Sequence, residues 1–543
     1  MRKRYRACEE CHRLKIKCDV TTSPSPGVCE RCHRNNLECV PAAPRLQRDR
    51  ISELEAQIEE LKNALQAQSN QNKTCTPPTS CSPGSLSTLS RSPASQLDSP
   101  PDAILSFLDA RIPPFKQQQL IHHYALQAET AWPAIRVVGD LDYYRAKSPL
   151  LLLALLVFPL TQEALGVDAE VHDELVREGM RLLGDEVIGR GQRSLEVVQA
   201  LLFPSFWTKS THTGRQGSCY QILQLASDMA IDLGIAGGSL QPTPPAFFCR
   251  HQDTASLEAR RTWLACYVAT TAASLTTRRP SPVPWDSYLD ECVAYLESNG
   301  DAADVLFGQI VRITRLDHEI ANQLCLCQIA TFVDGNDYNV YAVIENLKLK
   351  LDAWAAQVPA SLASCQTLRV WWHVAMVHLY ELVLHTPTNK ASFAAPYIPG
   401  RIPVKDYPKP AVIISPLKET LHSLVQNCHG VIGTVADMDP AIVVGLPSFC
   451  FSPTVLHALF VLVTTLVAAN DPENTYGQCL PKDCFRIDEC GEKLRNLVAY
   501  MKVLDPTLSC YTTRLFDATG WLEEWYNDYK AILQRYEASL AIP

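Results

Sequence analysis

Apolar residues recur at helical spacing over most of the chain beyond residue 102. Ile222, Leu225, Ala226, Met229 and Leu233 fall on one helix face and stop at Gly234, the residue type that most readily takes the left-handed conformation ending a helix. Comparable stretches begin near Val171, Ser194, Leu257, Val305, Val340, Val370, Leu417 and Val455. No run alternates apolar and polar residues as a half-buried strand would. Two stretches are apolar all round: 149–158, closed by Pro159, and 455–469, interrupted by His457, Thr464 and Thr465. A membrane span needs about 20 apolar residues in succession, so both predict buried core helices and no membrane partner. Six prolines at 387, 396, 399, 403, 408 and 410 predict a long loop inside this helical body.

The first hundred residues follow other rules. A short heptad places Ile51, Ile58 and Leu65 at a and Leu54 and Leu61 at d, with Arg50 at g facing Glu55 at e of a partner. Branched Ile at a with Leu at d favours parallel two-stranded coils, which predicts a homodimer through 51–65; an amphipathic helix packed on its own body is the rival, because only two heptads are present. Residues 69–101 are rich in Ser, Pro, Gln and Thr and read as a disordered linker. The expected organisation is a head over 1–45, a linker and short coiled coil over 46–68, the polar linker over 69–101, and a large all-α body over 102–543.

Composition agrees with several folded units. A chain of 543 residues with 47% hydrophobic residues exceeds one core. Residues 1–50 hold twelve Lys and Arg against six Asp and Glu, while the whole chain carries −9, so a basic head joins an acidic body and the head is the part suited to a polyanion. The basic N-terminus lacks the apolar stretch of a secretory signal, which predicts a reducing nucleocytoplasmic setting for the 21 cysteines.

Six of those cysteines form a repeat. Cys8, Cys11 and Cys18 recur as Cys29, Cys32 and Cys39, giving C-x2-C-x6-C twice, each cysteine displaced by 21 residues. Ordinary core thiols do not explain such a repeat, and Leu14, Ile16, Val28 and Leu37 are too few to fold the segment. Metal is the economical stabiliser. Zinc takes four ligands, so six thiolates can serve two ions only by sharing two, and the symmetry of the repeat suggests that the shared pair are equivalent residues. Two ions against six thiolates leave a net negative site, which Lys and Arg nearby would offset. Both C-x-x-C-H pairs match a haem-attachment pattern, but that reading ignores Cys18 and Cys39; an iron–sulfur or redox site has no further support. His12 and His33 are better placed for surface or phosphate contact than as metal ligands.

The segment resembles the fungal binuclear zinc cluster transcription factors of the galactose-regulator type, and fits their spacing at all six cysteines. The resemblance implies two Zn2+ ions, one held by Cys8, Cys11, Cys18 and Cys29 and the other by Cys29, Cys32, Cys39 and Cys8, with Cys8 and Cys29 bridging. It also implies that Lys15, three residues before the third cysteine, reads a CGG triplet in double-stranded DNA, as lysine can through the O6 and N7 of guanine. Leu14 departs from the basic residue the family often has there. His12, Arg13, Lys17, Arg31 and Arg34 are expected to contact phosphates, which position a protein without specifying sequence, and Arg2, Lys3 and Arg4 suit phosphates and nuclear import.

The body resembles, more loosely, the helical regulatory region that follows such clusters, through residues 194–201, 229–234, 258–263 and 278–280. Arg260, Arg261, Arg278 and Arg279 predict either an internal anion site or, with more weight, a solvated or salt-bridged face. Gly-x-Ser-x-Gly, Walker A and His-Glu-x-x-His motifs are missing from the sequence, and His122-His123 point to different helix faces, so no enzyme is expected. Leu522, Trp525, Tyr526 and Tyr529 share one face of a C-terminal helix, expected to pack on the body, with docking to the transcription machinery as the alternative. The expected function is a nuclear, sequence-specific DNA-binding regulator of metabolic genes, including secondary-metabolite clusters; the rival is a zinc-dependent protein-interaction adaptor.

Overall fold

Side-chain caps decide where the helices begin. In the computed structural model, which describes residues 8, 11, 17, 18, 28–35, 37, 39, 100–209, 219–237 and 251–540, Ser194 accepts the N–H of Val197, Ser256 that of Ala259 and Asp286 that of Leu289. Asp301 and Asp304 form a reciprocal capping box, satisfying donors that a helix start would otherwise leave orphaned. The chain divides into two compact units, 1–95 and 96–543. The heptad 51–65 and nearly all of the expected linker lie outside the described residues, but the first helix of the body, Pro100–Asp109, begins two residues inside that linker. A proline pair at a helix start removes no hydrogen bond, which is why a Pro-rich tract could not mark the boundary to the residue.

In the first unit one short helix is described, α1 (Glu30–Arg34). The second unit is built on helices, of which eleven position the features below: α2 (Pro149–Val157), α3 (Leu195–Phe206), α4 (Cys219–Asp232), α5 (Leu257–Thr277), α6 (Ser287–Asn299), α7 (Ala302–Gln323), α8 (Gln366–Tyr380), α9 (Ser415–Ala436), α10 (Ser448–Asn470), α11 (Tyr511–Asp517) and α12 (Thr519–Leu540). Among the described residues there is no strand, only an isolated antiparallel bridge between Lys209 and Cys510. The protein is therefore mainly α, as expected.

Helix α3 packs between α2 and α4; α8 packs between α7 and α9; α10 packs on α5, α9 and α11. The two long helices α5 and α10 are buried along nearly their whole length. Within α10, Phe451–Asn470 is long and apolar enough to cross a membrane, yet it lies inside the core, as the interrupted apolar run predicts. In α5 every residue from Ala259 to Thr276 is buried, although the sequence is far from apolar all round. Its hydroxyls turn back on the helix: Thr262 donates to the Glu258 carbonyl, Thr270 to Cys266 and Ser274 to Thr270.

Three of the four arginines are salt-bridged, as one of the expected readings had it, but they are buried rather than solvated. Arg261 meets Asp304 at 2.7 Å, Arg278 meets Glu381 at 2.5 Å, and Arg260 reaches Glu291 at 2.8 Å. Arg279 lies over the Tyr220 ring. His457 approaches Glu381 at 2.7 Å. Burial pushes the Glu381 carboxyl up, but Arg278 and His457 outweigh it and hold the group well below the usual carboxylate range. The segment 387–410 runs as irregular chain with short 3-10 turns, Lys390–Phe393 and Pro399–Arg401. It is tied down by Lys390, whose ammonium donates to the carbonyls of Cys325, Gln328 and Thr331. At the C-terminus Leu522 and Tyr529 are buried, and Trp521, Trp525 and Tyr526 pack against the core. The aromatic face of α12 is thus occupied by its own body.

Candidate metal centre and nucleic-acid head

Cys8, Cys11, Cys29 and Cys32 are buried, and around them pack Val28 and the two remaining cysteines of the repeat. Cys29 stands at the N-cap of α1, where its sulfur accepts the N–H of Cys32 at 3.5 Å. The C-x-x-C spacing places two thiols on the first turn of one helix, so their sulfurs converge without a long loop.

The sequence repeat reappears as symmetry in space. The N–H of Cys8 points at the Cys18 sulfur at 3.4 Å, and the N–H of Cys29, 21 residues on, points at the Cys39 sulfur at 3.3 Å. The sulfurs of Cys8 and Cys32 lie 3.7 Å apart, and their equivalents, Cys29 and Cys11, also 3.7 Å apart. Cys8 and Cys29 close the set at 3.8 Å. Zinc–sulfur bonds of about 2.3 Å set the separation of sulfurs in a regular tetrahedron at about 3.8 Å. The separations therefore equal the edges of zinc–sulfur tetrahedra, and the Cys8–Cys29 edge lies between the two halves.

The four sulfurs of Cys8, Cys11, Cys29 and Cys32 all lie within 4.8 Å of one another and form one metal-holding group. Cys18 and Cys39 flank it through the N–H contacts just described. This donor set fits zinc: soft thiolates, buried, at tetrahedral spacing. The Cys32 N–H pulls the Cys29 thiol down to about 6, whereas burial pushes Cys18 up to about 12 and also raises Cys11 and Cys32. Packed thiols without a cation cannot all ionise together, and a metal is what lets all of them act as thiolates.

The basic residues separate into two kinds. Arg34 is exposed and pairs with Glu30 one helical turn away at 2.5 Å; Lys17 and His33 are exposed as well, and His33 stands outside the sulfur group. Arg31 is only half-exposed. Its Nη1 is buried, and its positive charge works against the burial that raises the Cys11 thiol. Its guanidinium is thus partly withdrawn from solvent, unlike that of Arg34. The signal for this placement was its position inside C-x-x-C, within one turn of two ligands. His12, Arg13 and Lys15 lie outside the described residues.

Comparisons with known proteins fit this geometry. Residues 6–49 match the fungal Zn(2)-Cys(6) binuclear cluster domain, a domain that binds two zinc ions, and residues 178–290 match the fungal specific transcription factor domain. The second match ends inside α6 and includes all of the buried helix α5. Among curated proteins, Transcription factor pbcR of Emericella nidulans is 25% identical over 407 residues, covering 65% of this chain and 52% of the relative. The chain thus spans about half the length of that relative. No solved structure matches.

Proposed function

We propose that this chain, whose residues 6–49 and 178–290 match the fungal zinc cluster and fungal specific transcription factor domains, is a fungal Zn2Cys6 transcription factor that binds double-stranded DNA in the nucleus at CGG-type half-sites and regulates RNA polymerase II transcription of metabolic genes, secondary-metabolite genes among them. The observation that carries the reading is the sulfur cage with the symmetry of its own sequence repeat. Bound zinc would cross-link the thiolates of Cys8, Cys11, Cys18, Cys29, Cys32 and Cys39, with Cys8 and Cys29, the pair between the halves, as the shared ligands.

The residues then divide the work. Between Cys11 and Cys18, Lys15 reads guanine in the major groove, while His12, Arg13, Lys17 and Arg34 hold phosphates and set register. Arg31 serves the cluster first and the backbone second. The heptad 51–65 pairs two chains, so two half-sites are bound together at a separation set by residues 40–50. The body, 102–543, is the regulatory domain and meets the transcription machinery.

Selection of binding sites from random DNA by the full chain, with and without a chelator, tests this. Enrichment of CGG pairs that disappears on chelation is the expected result. Zinc-dependent binding to protein with no enriched DNA motif would replace the proposal by an adaptor role.

A further inference from the structure

A cavity of about 460 Å3 opens in the body, far along the chain from the cysteine repeat. Four separate segments build it. Thr276 and Thr277 come from the C-terminal turn of α5, Tyr397 and its neighbours from the proline-rich segment, and Leu456, Tyr511 and Trp521 from α10, α11 and α12. Its walls carry hydroxyls and an indole N–H but no charged side chain. This is the size and chemistry of sites for small molecules, which are mostly apolar with a few placed polar groups.

The geometry points to a binding site for a neutral, mainly apolar, ring-containing small molecule in the regulatory body. This inference is independent of the DNA-binding reading. A peptide segment fits the cavity poorly, because every buried amide needs a hydrogen-bond partner and this lining supplies few. A carboxylate or ammonium ligand would be buried against walls with no counter-charge. Aromatic surface, in contrast, meets Trp521, Tyr511 and Tyr397.

The wall is also rigidly founded. Tyr397 holds a positive φ of 57°, its neighbour Ala395 donates to the Thr276 carbonyl at 2.9 Å, and its ring packs on His457 and Phe460 at 5.1 and 5.9 Å. His457 in turn meets Glu381, the partner of Arg278. An occupant therefore touches a residue seated directly on the buried charge network, and the cavity is preformed.

N-phenyl-1-naphthylamine, a neutral aromatic probe whose fluorescence rises in apolar surroundings, tests the assignment on the full chain. We expect saturable binding of one probe per chain. Ala518→Phe, which adds a ring to the cavity wall, should weaken that binding at least about tenfold while the melting temperature holds. Should that variant fold poorly, Trp521→Phe serves instead, since it should lower energy transfer from protein to bound probe with little change in packing. Absence of saturable binding, binding indifferent to Ala518→Phe in a folded protein, or transfer indifferent to Trp521→Phe overturns the site. Equal affinity for the sulfonated analogue 8-anilinonaphthalene-1-sulfonate overturns the assignment of a neutral ligand.

Discussion

What is buried differs completely between the head and the body. Among the described residues of the head the buried side chains are Cys8, Cys11, Cys29 and Cys32, and Leu37 is left exposed. The body buries large rings and branched chains from end to end, Trp132, Tyr267, Phe307 and Phe460 among those fully enclosed. Apolar burial stabilises by about 25 cal/mol per Å2 without any ligand, so the body folds by the hydrophobic effect. Among its described residues the head packs little such surface beyond Val28, and its buried sulfurs gain a charged partner only when a cation joins them. One chain thus holds a unit whose stability is a binding equilibrium and a unit whose stability is not.

The sharpest way to break that comparison is to remove metal. A chelator, or Cys29→Ala, should unfold the head outright, because structural zinc sites contribute about 10–16 kcal/mol to folding at neutral pH. The body should keep its helices and its melting transition. Cobalt substitution followed by its thiolate charge-transfer band, with circular dichroism on the same sample, reports both units. A head that stays ordered without metal, or a body that melts with it, would sink the distinction.

The converse experiment disturbs the body alone. Arg278→Ala leaves Glu381, wholly buried, without its main counter-charge, and breaking a buried pair from one side costs about 3–5 kcal/mol. The denaturation midpoint of the body should fall accordingly, with zinc content unchanged. Replacing both partners by apolar residues of similar size should recover much of the loss, since no orphan charge then remains.

The same network gives the body a pH response. Burial holds His457 down to about 4 and His385 to about 3, against an ordinary value near 6.5. At pH 5 the unfolded chain takes up protons at these positions and the folded chain does not, so acid favours unfolding. This contribution to stability is whole above about pH 6.5 and is lost as the pH falls toward about 4. Denaturation midpoints measured across that window should decline, and His385→Gln should flatten the decline. Arg278, Lys390, Glu381, His378 and Asp317 surround the pair.

The two units were legible in the sequence to different degrees for physical reasons. Among the described residues of the head only cysteines are fully buried, so reading their fixed spacing was reading its core. Helix α10 was legible because its apolar run is long. Helix α5 was harder, since a helix buried on all sides has no amphipathic period, and Arg260, Arg261 and Arg278 disguise it as a surface. Their carboxylate partners Glu291, Asp304 and Glu381 lie 31 to 103 positions away in sequence, beyond any local pattern. The cavity was illegible for the same reason, because its walls come from four distant segments. The aromatic face of α12, by contrast, followed directly from helical spacing.

The smallest expected effect separates two arginines of the head. Arg34 and Glu30 form an exposed i, i+4 pair with side-chain exposures of 75% and 43%, and such pairs contribute about 0–1 kcal/mol. Arg34→Ala should therefore leave metal affinity and the melting of the head nearly untouched. If Arg34 holds a phosphate, the same variant should weaken binding to specific and random DNA alike, and the dependence of log affinity on log salt should drop by about one contact. Arg31→Ala should behave differently, because its guanidinium is partly buried and its charge counters the burial that raises the Cys11 thiol. It should lower zinc affinity first and DNA affinity only as a consequence. Zinc competition with a chelator and salt titration of DNA binding, run on both variants, decide the matter. Two identical profiles would mean that the partial burial of Arg31 has no energetic weight, and that the basic residues of the head act as one undivided phosphate-binding surface.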